Sequence, residues 1–149
     1  MMHILRTELT LPVPLPEVFD FFSRAENLEL ITPPQLRFKI TTPLPIAMQQ
    51  GTRIDYSLRL HGIRFGWRSA ITEWNPPYAF VDEQLSGPYR QWIHRHTFEE
   101  TGGGTAIRDE VHYRLPLSPL GEIALPIVRR QLQGIFAYRE AAVRKHFGQ

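Results

Sequence analysis

From residue 36 onward the chain alternates apolar and polar side chains with period two through six successive stretches, then switches to a helical pattern. That order constrains the fold more than any other feature. Residues 36–40 set Leu36, Phe38 and Ile40 against Arg37 and Lys39. Residues 53–60 set Ile54, Tyr56, Leu58 and Leu60 against Arg53, Asp55, Ser57 and Arg59. Residues 63–72 carry Ile63, Phe65, Trp67, Ser69 and Ile71 on one face. Further strands are predicted over 78–85, 89–100 and 105–115. Between them lie His61-Gly62, Asn75-Pro76-Pro77, Ser86-Gly87-Pro88 and Thr101-Gly102-Gly103-Gly104, all turn sequences. Strands joined by turns this short pair antiparallel. The apolar face of such a sheet must be covered. The span 119–147 predicts the only helix long enough to cover it. Its expected inner face is Ile127, Gln131, Ile135, Tyr138, Ala142 and Val143, with Pro126 kinking it or starting its main part.

The N-terminal stretch completes the order. Residues 3–11 alternate loosely as a further strand, and Pro12, Pro14 and Pro16 end it. Pro16 suits the first turn of a helix, whose apolar face is Val18, Phe19, Phe21 and Phe22. A second short helix is expected over 26–31. The class is therefore α+β: a seven-stranded antiparallel sheet, two short helices after strand 1, and a long C-terminal helix. At 149 residues this makes one domain, 1–149. A chain of that size needs no disulfide or structural metal. It has no cysteine, which excludes thiol chemistry, Cys-ligated zinc and iron–sulfur clusters.

The inward faces carry more polarity than a sealed core tolerates. On 89–100, Trp92 and Phe98 mark the covered face, and the same parity brings in Arg90, His94 and His96. On 105–115 it brings in Asp109 and Tyr113. A turn at Gly102–Gly104 sets His96 beside Asp109, His94 beside Val111 and Trp92 beside Tyr113. The preceding strand adds Phe80, Asp82 and Gln84, with Gln84 near Arg90. An unpartnered buried polar group costs about 1–3 kcal/mol. These groups must satisfy one another or line a cavity, and aromatic walls with a few convergent polar groups are the usual make-up of a small-molecule pocket.

His94 and His96 share one face, roughly 6.5–7 Å apart along a strand. Three chemistries stay open for them. Each can bond a neighbouring carboxylate and line the wall. They can act as acid–base groups oriented by Asp109 or Asp82. With one carboxylate they can form a two-His metal site. Spacing fixes no third ligand, so no metal and no cofactor is expected.

These residues also carry a resemblance. Glu26-Asn27-Leu28, Ile31-Thr32-Pro33-Pro34, Gly51-Thr52-x-Ile54-x-Tyr56 and Trp74-x-Pro76-Pro77 are part of it. The most specific part is Phe80-Val81-Asp82-x-Gln84-x-x-Gly87-Pro88-Tyr89-x-x-Trp92-x-His94-x-His96-x-Phe98, followed by Asp109-x-Val111-x-Tyr113. Over essentially its whole length the chain resembles the START-like, or SRPBCC, superfamily with the Bet v 1 helix-grip fold, and within it the small bacterial ligand-binding proteins. The resemblance implies a curved sheet wrapped around the long helix, with a cavity between them for an apolar ligand. Some members catalyse cyclisation or dehydration. Asp82, Gln84, Trp92, His94, His96, Asp109 and Tyr113 are carried over as cavity candidates. Tyr56 and Trp67 join by alternation, and Arg90 is placed at the mouth to meet an anionic ligand group. Some relatives carry a sugar-epimerase label, but no dinucleotide fingerprint is present here.

The expected function is therefore binding of a small hydrophobic or aromatic molecule. The alternative is a polyketide cyclase- or dehydratase-like enzyme using His94 or His96 with Asp109 or Asp82. Fifteen of the seventeen basic residues are arginine, yet the net charge is only +2. Acidic residues interleave with the outward arginines, so no nucleic acid is expected. The first residues lack a signal-peptide pattern and no apolar run approaches ~18 residues. The expectation is a cytoplasmic monomer or homodimer with no membrane span.

Overall fold

A computed structural model describes residues 1–149. Strand β1 (His3–Leu11) leads through prolines to helix α1 (Leu15–Phe22) and two 3₁₀ turns, Ala25–Glu29 and Pro34–Leu36. Six strands follow: β2 (Lys39–Ile40), β3 (Arg53–Leu60), β4 (Ile63–Asn75), β5 (Ala79–Ser86), β6 (Gln91–Thr101) and β7 (Gly104–Arg114). A 3₁₀ turn over Leu120–Ala124 precedes helix α2 (Leu125–His146). The single antiparallel sheet runs β1-β7-β6-β5-β4-β3-β2, with β1 closing back onto β7. This is the expected α+β helix-grip architecture. No helix is long and apolar enough to cross a membrane.

Local chemistry explains most boundaries. Pro16 lies in the first turn of α1, where its missing N–H leaves no broken bond. Val18, Phe19, Phe21 and Phe22 are buried, and Phe19 packs edge-on against Phe98 at 5.3 Å between ring centroids. The β3–β4 hairpin turns at His61 and Gly62 with φ of 52° and 79°, so both central residues are left-handed as a two-residue hairpin requires. Gly104 opens β7 where its Cα faces the Leu11 carbonyl, which a Cβ would overlap. The register of β4 against β5 shifts at Arg68/Ser69 and again at Ile71/Glu73. Such irregularities bend a strand and curve its sheet.

Two expectations are corrected. The strand expected over 36–40 shrinks to Lys39–Ile40, because Arg37 takes a left-handed backbone (φ 47°) and leaves Leu36 in a 3₁₀ turn. The helix expected from 119 starts at Leu125, with Pro126 in its first turn, and buries only part of the expected face. Leu132, Phe136 and Val143 are buried, whereas Ile127 and Tyr138 are exposed.

Candidate functional site

Between the sheet and α2 lies a cavity of about 160 Å³. It lies where the Phe-rich core around α1 meets the aromatic core of Trp67, Tyr89 and Trp92. Its walls are mainly apolar. Leu58, Trp67 and Trp92 come from the sheet, and Leu132, Ile135 and Phe136 come from α2. Trp67 meets Trp92 edge-on at 5.4 Å and stacks on Tyr56 at 5.6 Å. The indole Nε1 of Trp67 is buried and has no hydrogen-bond partner in the protein. The Tyr56 hydroxyl lies 3.4 Å from Ser69 Oγ. Burial, followed by the charge of Asp82, pushes the Tyr56 pKa up, so it stays a neutral phenol.

One end of the cavity is charged. Strand pairing sets Asp82 opposite His94 and His96 opposite Asp109. His94 pairs with Val111 and Trp92 with Tyr113, the register that the glycine turn predicted. His94 Nε2 donates to Asp109 Oδ1 at 2.8 Å, and His96 Nε2 donates to Asp82 Oδ2 at 2.6 Å. His96 Nδ1 lies 3.3 Å from Asp109 Oδ1. The two imidazoles stack at 3.7 Å, and Phe80 covers the far face of His96 at 4.1 Å. Arg139 reaches in from α2, its Nη2 3.5 Å from Asp109 Oδ1 and 3.4 Å from His96 Nδ1. Thr7 Oγ1 donates to the other Asp109 oxygen at 3.2 Å.

The protonation pattern follows from these contacts. Burial works against charge on His96, but hydrogen bonds to Asp109 and Asp82 outweigh it and hold its pKa above the usual imidazole value. Burial and the neighbouring His96 charge hold the His94 pKa below it. Burial opposes ionisation of both carboxylates. Arg139 and the imidazoles keep Asp109 well below the usual carboxylate range, and His96 with His94 keeps Asp82 below it. The two carboxylates therefore face Arg139 and a His96 that keeps a second proton to higher pH than His94 does. A buried ionic group is tolerated only when paired in this way.

Six of the ten sequence candidates line the cavity: Tyr56, Trp67, Asp82, Trp92, His94 and His96. Asp109 stands behind the wall, bonded to both histidines. Tyr113 is buried against His3, Tyr89 and Trp92 and is not on the wall. Gln84 clamps the backbone of Tyr89: the Tyr89 N–H donates to Oε1 at 3.1 Å and Nε2 donates to the Tyr89 carbonyl at 2.6 Å. This turns the Tyr89 ring inward, onto Trp92 at 4.8 Å. Arg90 is therefore exposed and absent from the cavity, contrary to the parity that placed it at the mouth. On α2 the expected Ile135 does line the cavity; the residues missed are Tyr89, Leu132, Phe136 and above all Arg139. Leu132, Phe136, Arg139 and Val143 form a 4-3-4 stripe, and that spacing is the signal that would have found them.

A family model described as "Polyketide cyclase / dehydrase and lipid transport" matches residues 11–137. The chain belongs to this family. Solved structures agree on the SRPBCC helix-grip fold of this polyketide cyclase/dehydrase family member. The ZhuI aromatase/cyclase from Streptomyces sp. R1128 superposes with a TM-score of 0.78 at 13% identity, covering 98% of this chain and 93% of that one. Ara h 8.0201 gives 0.67 at 20% identity, covering 97% and 99%. A nucleoside-diphosphate sugar epimerase from Corynebacterium glutamicum gives 0.67 at 25% identity, covering 97% of this chain but 29% of that one. The chain thus spans less than a third of the epimerase. No curated protein is significantly similar in sequence.

Proposed function

We propose that this family member binds a small, mainly apolar ring compound in the cavity, with an oxygen-bearing group set against its polar positions. The wall composition carries the reading: aromatic and aliphatic side chains, with a charged cluster confined to one end. Volume narrows the class. A cavity of about 160 Å³ compares with the ~150 Å³ apolar cavity that takes up benzene. That supports a ligand of one ring with substituents over a polycyclic one. Trp67 Nε1 presents no free surface to the cavity, so a ligand oxygen would reach it only with a shift of the side chains that cover it. Isothermal titration with substituted phenols, benzoates and aryl ketones tests this. Micromolar binding of a ring compound, displaced by a second ring compound, is expected. Saturable binding of none of them, together with a solidly filled interior in a crystal structure, would refute it.

One observation favours a second reading, acid–base chemistry of the cyclase or dehydrase kind. His96 holds a proton in the cavity wall, between two carboxylates and 3.4 Å from Arg139. On an identified substrate, His96→Gln would abolish turnover while ligand affinity changes less than tenfold. Full turnover by that variant would exclude the mechanism.

A further inference from the structure

The Asp82–His94 side of the charged corner turns two unpartnered acceptors toward the cavity. Asp82 Oδ2 accepts the His96 Nε2 proton at 2.6 Å, which leaves Asp82 Oδ1 without a protein donor. His94 Nε2 lies 2.8 Å from Asp109 Oδ1. A carboxylate only accepts, so Nε2 carries the N–H of neutral His94 and Nδ1 keeps a lone pair. Asp82 Oδ2, 4.0 Å from that lone pair, is itself an acceptor. Neither Asp82 Oδ1 nor His94 Nδ1 is sealed: the sealed, unpartnered side-chain atoms of the chain are Trp67 Nε1 and Glu122 Oε1 alone. Both residues line the cavity, so their open surface faces it.

We infer that the cavity takes a primary arylalkylamine, whose ammonium donates to the Asp82 carboxylate and to His94 Nδ1 while its ring lies against the aromatic wall. This rests on the ring-compound reading above and adds an amino group to it. Two N–H bonds on one nitrogen, each about 2.9 Å from its acceptor, suit acceptors roughly 4–5 Å apart. The carboxylate and imidazole atoms are 4.0 Å apart. A hydroxyl has one hydrogen and serves only one of them. A buried cation needs a counter-charge, and Asp82 supplies it. The Trp92 and Phe136 rings, 6.4 and 5.7 Å from the His94 ring, add aromatic faces beside it. Arg139 approaches the other side of the corner, 3.4 Å from His96 Nδ1 and 3.5 Å from Asp109. With His96 carrying one proton, Asp82, Asp109 and Arg139 sum to −1, and an ammonium brings the corner to neutrality. A ligand carboxylate in the same place would meet two acceptors and no donor.

Benzylamine, benzyl alcohol and benzoate share one ring and differ in the group they offer. Calorimetric titration should show benzylamine binding about tenfold or more tighter than benzyl alcohol, as a charge-assisted hydrogen bond exceeds a neutral one, with benzoate weakest. Asp82→Asn should abolish the preference, read as the ratio of amine to alcohol affinity on the same variant. Because Asp82→Asn risks misfolding, the parent protein supplies a second readout. His96 faces Asp82, Asp109, His94 and Arg139. Against its burial, hydrogen bonds to Asp109 and Asp82 keep a second proton on it at about pH 6. An incoming ammonium displaces that proton, so the heat of benzylamine binding at that pH should vary with the ionisation enthalpy of the buffer, and that of benzyl alcohol should not. Benzyl alcohol or benzoate binding as tightly as benzylamine, an amine preference that survives Asp82→Asn, or amine binding without proton release would overturn the inference and leave the ring-compound reading standing. Saturable binding of none of the three would overturn both.

Discussion

Arg139 on the C-terminal helix sets its guanidinium 3.5 Å from Asp109 on strand β7, with both side chains almost out of solvent at 12% and 10% exposure. This contact joins the two layers of the fold at the polar end of the cavity. Arg139 is also held over the Phe22 and Phe136 rings, at 5.4 and 5.8 Å. Removing it leaves the cluster with an uncompensated negative charge. Arg139→Met is therefore expected to destabilise the protein by about 3–5 kcal/mol, read from urea unfolding. Arg139→Met combined with Asp109→Asn should cost clearly less than the sum of the two single changes.

His94 and His96 share an environment, yet their pKa values are shifted in opposite directions. The signs follow from linkage. His96 has a raised folded pKa, so its stabilising contribution is complete below about pH 6.5 and is lost as pH rises through the folded value. His94 has a lowered folded pKa, so stability is lost as pH falls below about 6.5, where the unfolded imidazole takes a proton that the folded one refuses. The pair together places a stability maximum near pH 6.5. Unfolding free energies across pH 5–8 should show it. His96→Gln should flatten the alkaline slope and also weaken the acidic one, because it removes the His96 charge that helps hold the His94 pKa down.

Trp67 Nε1 has no partner to lose. Trp67→Phe removes a buried, unsatisfied donor and keeps an aromatic ring, so unfolding should change by less than about 1.5 kcal/mol. Because Nε1 presents no free surface to the cavity, a ring ligand and its oxygen-free analogue should lose affinity equally. A further loss of about five- to tenfold for the oxygen-bearing ligand alone, the equivalent of one hydrogen bond, would show that the covering side chains shift to admit its oxygen.

Gly104 sits against the Leu11 carbonyl, and Leu11 is fully buried. Gly104→Ala cannot be absorbed by rotating a flexible side chain, since the obstacle is backbone. A loss of about 1–3 kcal/mol is expected, seen as a lower Tm with the β1–β7 edge the first to exchange its amide protons. Gly103→Ala, with open space around it, should be nearly silent.

The sheet and half of the site were legible because period two carries parity through a strand. The glycine turn then fixed the β6–β7 register, which brought His96 to Asp109 and Trp92 to Tyr113. Parity failed where the strand did. Arg90 precedes β6, and the Gln84 clamp on Tyr89 reverses which neighbour points inward. Arg37 defeated the 36–40 alternation by adopting a left-handed backbone. The face of α2 was illegible for a different reason. Its apolar residues spread around the helix, with Ile127 and Tyr138 in solvent, so hydropathy selects no single stripe. Arg139 lies within the true stripe, and its charge finds its partners only across the fold.

Occupation of the cavity is tested most directly by a crystal structure of the protein soaked with the tightest ring compound from the titration panel. The expected density lies between the sheet and α2, against Trp67, Trp92 and Phe136. Density for the ligand only on the outer surface, with the interior closed by rearranged side chains, would contradict it.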